Sequence, residues 1–429
     1  MKRRTSLALL ALFAFATAAQ AQVRKFDFGP GELASGYTRV LPETVYSSES
    51  GYGFLPGATL TGATHGTDAL KDDFITGSQP FYFSVDLPEG DYDVKVTFGD
   101  REGSSDQTIR AECRRLMVYR EVTQPGERKE VWFTVHIRTP DIAGGPERVA
   151  LKPRERSYFH WDRQLTLEFN GPSPKIASIE IQPAAHPIRV FVAGDSTVVD
   201  QATEPYAGWA QILPHFLAPR KVSVANYAES GETLSGFIAG KRLEKILSQM
   251  RPGDYLFIEF GHNDQKQKGE GVGPFTSYKR DLKRFVTQAR QKGGIPVILT
   301  PIQRRNFNAE NRINETLGDY PEACRQVATE EDVPLIDLNR MTKTLYEAWG
   351  PEASKQAFAH NPAIDNTHPN PFGAWEIAQC AVSELREKVP ALGKWVVNFA
   401  GFDPAKPDAV DSFYWPPSPS ASSVRPDGN

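Results

Sequence analysis

After Pro187 the chain falls into five short apolar runs, and that rhythm limits the fold more than any other feature. The runs are Ile188–Ala193, Val222–Ala225, Tyr255–Phe260, Ile295–Leu299 and Val333–Ile336. Several carry few polar residues, as strands covered on both faces do. Between them lie segments long enough for helices, at about 207–216, 234–250, 276–292, 319–330, 339–349 and 371–387. Strand–helix–strand order implies a parallel sheet with helices on both faces.

Upstream of residue 185 the period is two. Tyr92, Val94, Val96 and Phe98 alternate with Asp93, Lys95, Thr97 and Gly99, and Leu165, Leu167 and Phe169 alternate with Gln164, Thr166 and Glu168. Turn sequences such as Pro88-Glu89-Gly90 and Gly144-Gly145-Pro146 separate many such runs. Short alternating strands with turns and no helical period read as a β-sandwich. The expected fold is therefore α/β: a β-sandwich over 22–185, then a three-layer, flavodoxin-like parallel-sheet domain over 186–400. The Pro/Ser-rich tail, 401–429, is expected to wrap the surface or to be disordered.

The first residues lie outside this plan. Lys2, Arg3 and Arg4 precede the apolar stretch Leu7–Ala18, and Ala19-Gln20-Ala21 has the small-x-small form of a cleavage site. The expectation is a cleaved signal peptide over 1–21 and a protein secreted or released to the periplasm. The stretch is short for a bilayer span, so no stable membrane insertion is expected after cleavage. Losing those three cations takes the formal charge from −4 to −7, which argues against nucleic acid or an anionic membrane as a non-specific partner. Cys113, Cys324 and Cys380 are too few for a disulfide scaffold and lack zinc spacing. Cys324 and Cys380 can pair in an oxidising compartment, or all three can be small buried side chains.

Active sites of open parallel sheets gather at the carboxyl ends of the strands, so the residues after each run carry the chemistry. The first run ends in Gly194-Asp195-Ser196-Thr197. Gly194 permits a tight turn, and Ser196 can start a helix whose N–H groups suit an oxyanion; alone, it is an ordinary serine cap. The second ends in Asn226-Tyr227-Ala228-Glu229-Ser230-Gly231-Glu232-Thr233. There Gly231 lets backbone approach a substrate, and Ser230 can cap a helix. The third ends in Gly261-His262-Asn263-Asp264. Asn263 offers a side-chain N–H of the kind oxyanion holes use, or else closes an Asx-turn.

The last cluster is Asp365-Asn366-Thr367-His368-Pro369-Asn370-Pro371. Its prolines argue against a helix and for a stiff loop. Asp365 can hold one ring nitrogen of His368 and leave the other to take a serine proton. His360 and His368 lack the i, i+4 spacing of a helical metal site, and no metal or cofactor is expected.

None of these four pieces is convincing alone. In this order they resemble the SGNH (GDSL-type) hydrolase superfamily over residues 188–390. The resemblance implies Ser196 as nucleophile, His368 as general base and Asp365 as its orienter. It implies an oxyanion hole from the N–H groups of Ser196 and Gly231 and the side chain of Asn263. Within the superfamily, Gly194-Asp195-Ser196-Thr197, Gly261-His262-Asn263-Asp264 and Asp365-x-Thr367-His368 are most similar to rhamnogalacturonan acetylesterases. Phe26-Asp27-Phe28-Gly29 and the run from Tyr92 to Asp100 resemble the galactose-binding-type sandwich attached to some of them.

These resemblances imply a carbohydrate O-acetylesterase acting on acetylated pectin (rhamnogalacturonan) or its oligosaccharides through an acyl-enzyme. An acetylxylan esterase or a lipase- or thioesterase-like hydrolase of the same superfamily is the alternative enzyme. A non-catalytic carbohydrate-binding protein is the alternative outside enzymes. Because the base must be neutral, hydrolysis should fall toward acid pH. Arg304 and Arg305, after the fourth run, could pair with a uronate carboxylate or form a solvated turn. Tyr206 and Trp209 could stack on a sugar or belong to the core. The sandwich either binds glycan or packs as a structural partner.

Overall fold

The computed structural model describes residues 23–419 and 426–427. The expected signal peptide lies outside the described residues.

The alternating segments build two five-stranded sheets. One runs, in spatial order, Arg128–Ile137, Gly90–Gly99, Ser178–Pro183, Arg24–Phe28 and Thr38–Val40. The other runs Tyr52–Phe54, Phe81–Asp86, Gln164–Ser173, Ser105–Ala111 and Arg115–Thr123. All pairings are antiparallel except that of Arg24–Phe28 with Thr38–Val40. The two-residue period explains the core. Tyr92, Val94, Val96 and Phe98 of the first sheet meet Leu165, Leu167 and Phe169 of the second. Phe83 sits edge-on to Phe26 and Phe28, with centroids 5.2 and 5.0 Å apart, a favoured aromatic geometry.

The apolar runs form one parallel sheet in the order Val222–Asn226, Ile188–Gly194, Tyr255–Glu259, Ile295–Leu299 and Leu335–Ile336. This is the 2-1-3-4-5 order of flavodoxin-like sheets. Alternation sends Val190, Val192, Phe257 and Leu299 into one core and Phe191, Ala193, Leu256 and Ile298 into the other. Helices Leu338–Ala353 and Pro371–Lys388 cover the first face; Lys279–Gln291 and Tyr320–Glu330 cover the second. Cys380 belongs to the first core and Cys324 to the second, so the sheet separates them; all three cysteines are free and buried.

Several expected elements take another form. Segment 207–216 is two short helical turns, Trp209–Gln211 and Leu213–Phe216, because Pro214 has no N–H to continue a helix. Segment 234–250 splits into Leu234–Ala239 and Arg242–Gln249, with Lys241 left-handed between them at φ 60°. The stretch expected to be a loop before the last helix is a strand, Ile364–Pro369, paired with Phe358–His360. Its proline closes the strand, where no ladder donor is needed. The described part of the tail wraps both domains: Trp415 Nε1 donates to Glu204 at 2.9 Å, and Arg110 of the sandwich donates to the Pro416 carbonyl at 2.6 Å. Among the described residues no helix is long and apolar enough to cross a membrane.

The sandwich is bound to the hydrolase domain by polar contacts as well as packing. Arg115 Nε donates to Asp200 at 2.9 Å and Arg114 Nη1 to the Tyr206 carbonyl at 2.9 Å. Asp91 of the sandwich accepts from Arg189 at 2.6 Å and from Ser223 at 2.9 Å.

Candidate active site

The strand Ile188–Gly194 delivers the chain into a tight turn. A Cβ at Gly194 would stand 2.7 Å from Val198 Cγ2 and 2.9 Å from the Glu259 carbonyl, so no larger residue fits there. Asp195 then shapes the turn. Its Oδ1 accepts from the Thr197 N–H at 3.0 Å and the Thr197 hydroxyl at 2.9 Å, while its carbonyl accepts from the N–H groups of Val198 and Val199. Ser196 therefore sits in a hydrogen-bonded turn rather than at the start of a helix.

The strand Ile364–Pro369 brings His368 to Ser196. His368 Nε2 lies 2.8 Å from Ser196 Oγ, and His368 Nδ1 lies 2.8 Å from Asp365 Oδ2. The other carboxylate oxygen, Oδ1, accepts from the N–H groups of Thr367 at 2.8 Å and His368 at 3.0 Å. Burial works against charge on Asp365, but its hydrogen bonds and the imidazole beside it win and hold it well below the usual carboxylate range. An ionised carboxylate only accepts, so the ring proton belongs on Nδ1 and Nε2 is left to accept the serine proton. All three side chains are buried, and the Tyr206 ring stands edge-on to the imidazole at 6.0 Å.

Gly231 and Asn263 close around the same turn. The Glu229 N–H donates to the Gly194 carbonyl at 3.1 Å, which ties the Gly231 loop to the Ser196 turn. Gly231 has φ 81°, a left-handed conformation that glycine adopts freely. Asn263 Nδ2 donates to the Glu232 carbonyl at 3.0 Å, joining the third strand end to that loop. Thr233, not Ser230, caps the following helix: its hydroxyl accepts from the Gly236 N–H at 2.9 Å. Among the described residues no group of three or more His, Cys, Asp or Glu is arranged to hold a metal ion.

The expected sugar-contacting residues are placed differently. Trp209 is fully buried and its Nε1 donates to Glu259 at 2.6 Å, so it is core rather than a stacking face. Tyr206 is 1% exposed and covers His368. Arg304 donates to Thr316 Oγ1 at 3.2 Å and to the His262 carbonyl at 3.3 Å. Arg305 is held by Ser354 Oγ at 2.9 Å, Asn366 Oδ1 at 2.9 Å and the Pro351 carbonyl. Both arginines thus tie loops around the site together.

One buried acid has no counterpart in the sequence reading beyond its odd position in an apolar run. Glu259 lies beneath the Ser196 turn, 2% exposed, and burial with Asp195 nearby raises it to about 8. It therefore stays protonated at neutral pH in the folded protein, while in the unfolded chain it ionises above about 4.5. Unfolding between those two values releases a proton, so Glu259 makes stability fall as pH rises from about 4.5 to about 8. Glu259→Gln, uncharged at every pH, should flatten that decline by up to about 1.4 kcal/mol per pH unit. Urea midpoints at pH 5 and pH 8 check this; an unchanged slope would mean that Glu259 ionises in place.

Residues 192–375 match the GDSL-like Lipase/Acylhydrolase family, and residues 24–124 match the Beta-agarase/YXIM esterase-like, galactose-binding domain-like family. Rhamnogalacturonan acetylesterase RhgT of Bacillus subtilis (strain 168) is 42% identical over 213 residues, 47% of this chain and 90% of that protein. Probable rhamnogalacturonan acetylesterase YesY of the same organism is 36% identical over 46% of this chain and 92% of its own length. Uncharacterized esterase YxiM, also of that organism, is 29% identical over 86% of this chain and 92% of its own length. The chain belongs to the GDSL-like lipase/acylhydrolase family, a serine esterase carrying an N-terminal galactose-binding-like domain.

Proposed function

We propose that the chain is a carbohydrate O-acetylesterase that removes acetyl groups from the rhamnogalacturonan of pectin through an acetyl-enzyme on Ser196. The observation that carries the mechanism is the unbroken chain of 2.8 Å contacts from Ser196 Oγ through His368 to Asp365. The substrate rests on the relatives named rhamnogalacturonan acetylesterase, of which the chain covers 90% and 92%.

Ser196 Oγ attacks the acetyl carbonyl as its proton passes to His368 Nε2. Asp365, ionised and bonded to Nδ1, stabilises the imidazolium that forms. The carbonyl oxygen, now negative, is met by the N–H groups of Ser196 and Gly231 and by Asn263 Nδ2. His368 then returns the proton to the departing sugar oxygen. Water, deprotonated by His368, attacks the acetyl carbonyl, and Ser196 is restored as acetate leaves. A sugar polymer outside the cell is the substrate expected of an exported enzyme, and export is part of this proposal.

The test is acetate release by the full chain from acetylated rhamnogalacturonan, acetylated xylan and long-chain acyl esters. The expected kcat/KM is highest on the first by at least about tenfold, a difference of about 1.4 kcal/mol in transition-state binding. Preference for acetylated xylan or for the long-chain esters would replace the substrate assignment.

A further inference from the structure

The peptide unit joining Ser230 to Gly231 has its carbonyl held by side chains from outside the hydrolase sheet. The Ser230 carbonyl oxygen accepts from Arg154 Nη2 at 2.9 Å and from Lys152 Nζ. Both cations belong to the sandwich, in the connection between its strands Arg128–Ile137 and Gln164–Ser173, more than seventy residues upstream. Each is anchored by acids of the loop it grips. Lys152 pairs with Glu232 at 2.9 Å, and Arg154 pairs with Glu229 at 2.5 Å. Asp427 of the tail also contacts Arg154. Glu155, next to Arg154, is buried and paired with Arg242 at 2.5 Å, which fixes the segment.

A peptide group is planar, and in the trans form its C=O and N–H point in opposite directions. Holding the Ser230 oxygen therefore sets the direction of the Gly231 N–H. A positive charge on the oxygen also draws electron density from the nitrogen and makes that N–H a stronger donor, since hydrogen bonds in a chain polarise one another. We propose that Lys152 and Arg154 are positioning residues for the oxyanion hole: gripping the Ser230 carbonyl, they aim and polarise the Gly231 N–H for the charge that develops in the transition state. This rests on the reading of Gly231 as an oxyanion donor. It gives this connection of the sandwich a share in the chemistry that a merely packed domain would lack.

The test uses the full chain and a small aryl acetate that makes few contacts beyond the acetyl group. Lys152→Met should lower kcat about tenfold with KM within about twofold, because the lost interaction belongs to the transition state. Removal of both cations as Lys152→Met/Arg154→Met, with Glu229→Gln added so that Glu229 is not stranded while Glu232 keeps Arg242 at 3.9 Å, should lower kcat by about 10²-fold, toward the loss of a whole oxyanion donor. Binding of a small alkylboronic acid, whose tetrahedral adduct places an oxygen in the hole, should weaken by the same factor. Lys152→Arg should restore most of kcat. A kcat within twofold of the parent in Lys152→Met, or a raised KM at unchanged kcat, overturns the proposal; should the triple variant not fold, Lys152→Met decides it. Ser196→Ala separates the two readings. If it retains activity, the site assignment itself fails; if it is inactive while Lys152→Met keeps full kcat, only the role of Lys152 and Arg154 fails.

Discussion

Ser196→Ala is expected to lower kcat for acetyl-ester hydrolysis by at least about 10⁴-fold while leaving the fold intact. The substitution removes one oxygen from a side chain that is 1% exposed, and alanine fits the space it leaves. The backbone N–H of residue 196 survives, as do the Gly231 and Asn263 donors, so the oxyanion hole should still bind a tetrahedral adduct. What disappears is the proposed nucleophile, the Oγ that lies 2.8 Å from His368 Nε2. His368→Ala should cost a comparable factor, because without the ring nothing takes the serine proton. The two losses should not add: the double variant should be about as slow as either single one, since the groups act as a unit. Acetate release by purified, folded protein measures all three. Activity within tenfold of the parent in Ser196→Ala would place the nucleophile elsewhere.

The residues that make this prediction possible were legible in the sequence because each chemical block is local. Gly194-Asp195-Ser196, Gly261-His262-Asn263 and Asp365-x-x-His368 each fit within one turn or strand end, and the parallel-sheet rhythm says that such ends converge. The sandwich core was legible for a similar reason, since a period of two assigns Val94 and Val96 to one face whatever covers it. Other features depend on what covers a face, and periodicity is silent on that. Trp209 and Tyr206 looked able to meet a sugar; in the fold Trp209 meets Glu259 and Tyr206 meets His368, both distant in sequence. Arg304 and Arg305 looked free because Thr316, Ser354 and Asn366 lie on other loops. The grip of Lys152 on the Gly231 loop spans 78 residues and no local pattern announces it. Glu259 did leave a signal, an acid within Tyr255-Leu256-Phe257-Ile258-Glu259-Phe260, whose cost in a buried strand calls for a reason.

The contact between Arg115 of the sandwich and Asp200, just after the Ser196 turn, carries the second large effect. Both side chains are at most 1% exposed and meet at 2.9 Å. Asp200 also accepts from Asn226 Nδ2 at 2.8 Å, so it joins the first two parallel strand ends to the sandwich. Burial disfavours the Arg115 charge, yet Asp200, with Glu112 behind it, more than compensates and the guanidinium is held above its ordinary value. Asp200→Ala would strand a buried guanidinium, and breaking a buried pair from one side costs about 3–5 kcal/mol. The urea midpoint should fall accordingly. Activity should fall with it, because Asp200 lies four residues after Ser196 and helps hold that turn. Removing both charges as Arg115→Met/Asp200→Leu should recover much of the stability, since apolar replacements of a buried pair are often neutral or better. It should recover less of the activity, because Asn226 keeps only the Val198 carbonyl as acceptor and the turn loses one of its two ties to that strand end. That split distinguishes a pair that serves only to join two domains from one that also holds the nucleophile in register. A loss below about 1 kcal/mol in Asp200→Ala would instead resemble an exposed pair, and would mean that water reaches Arg115.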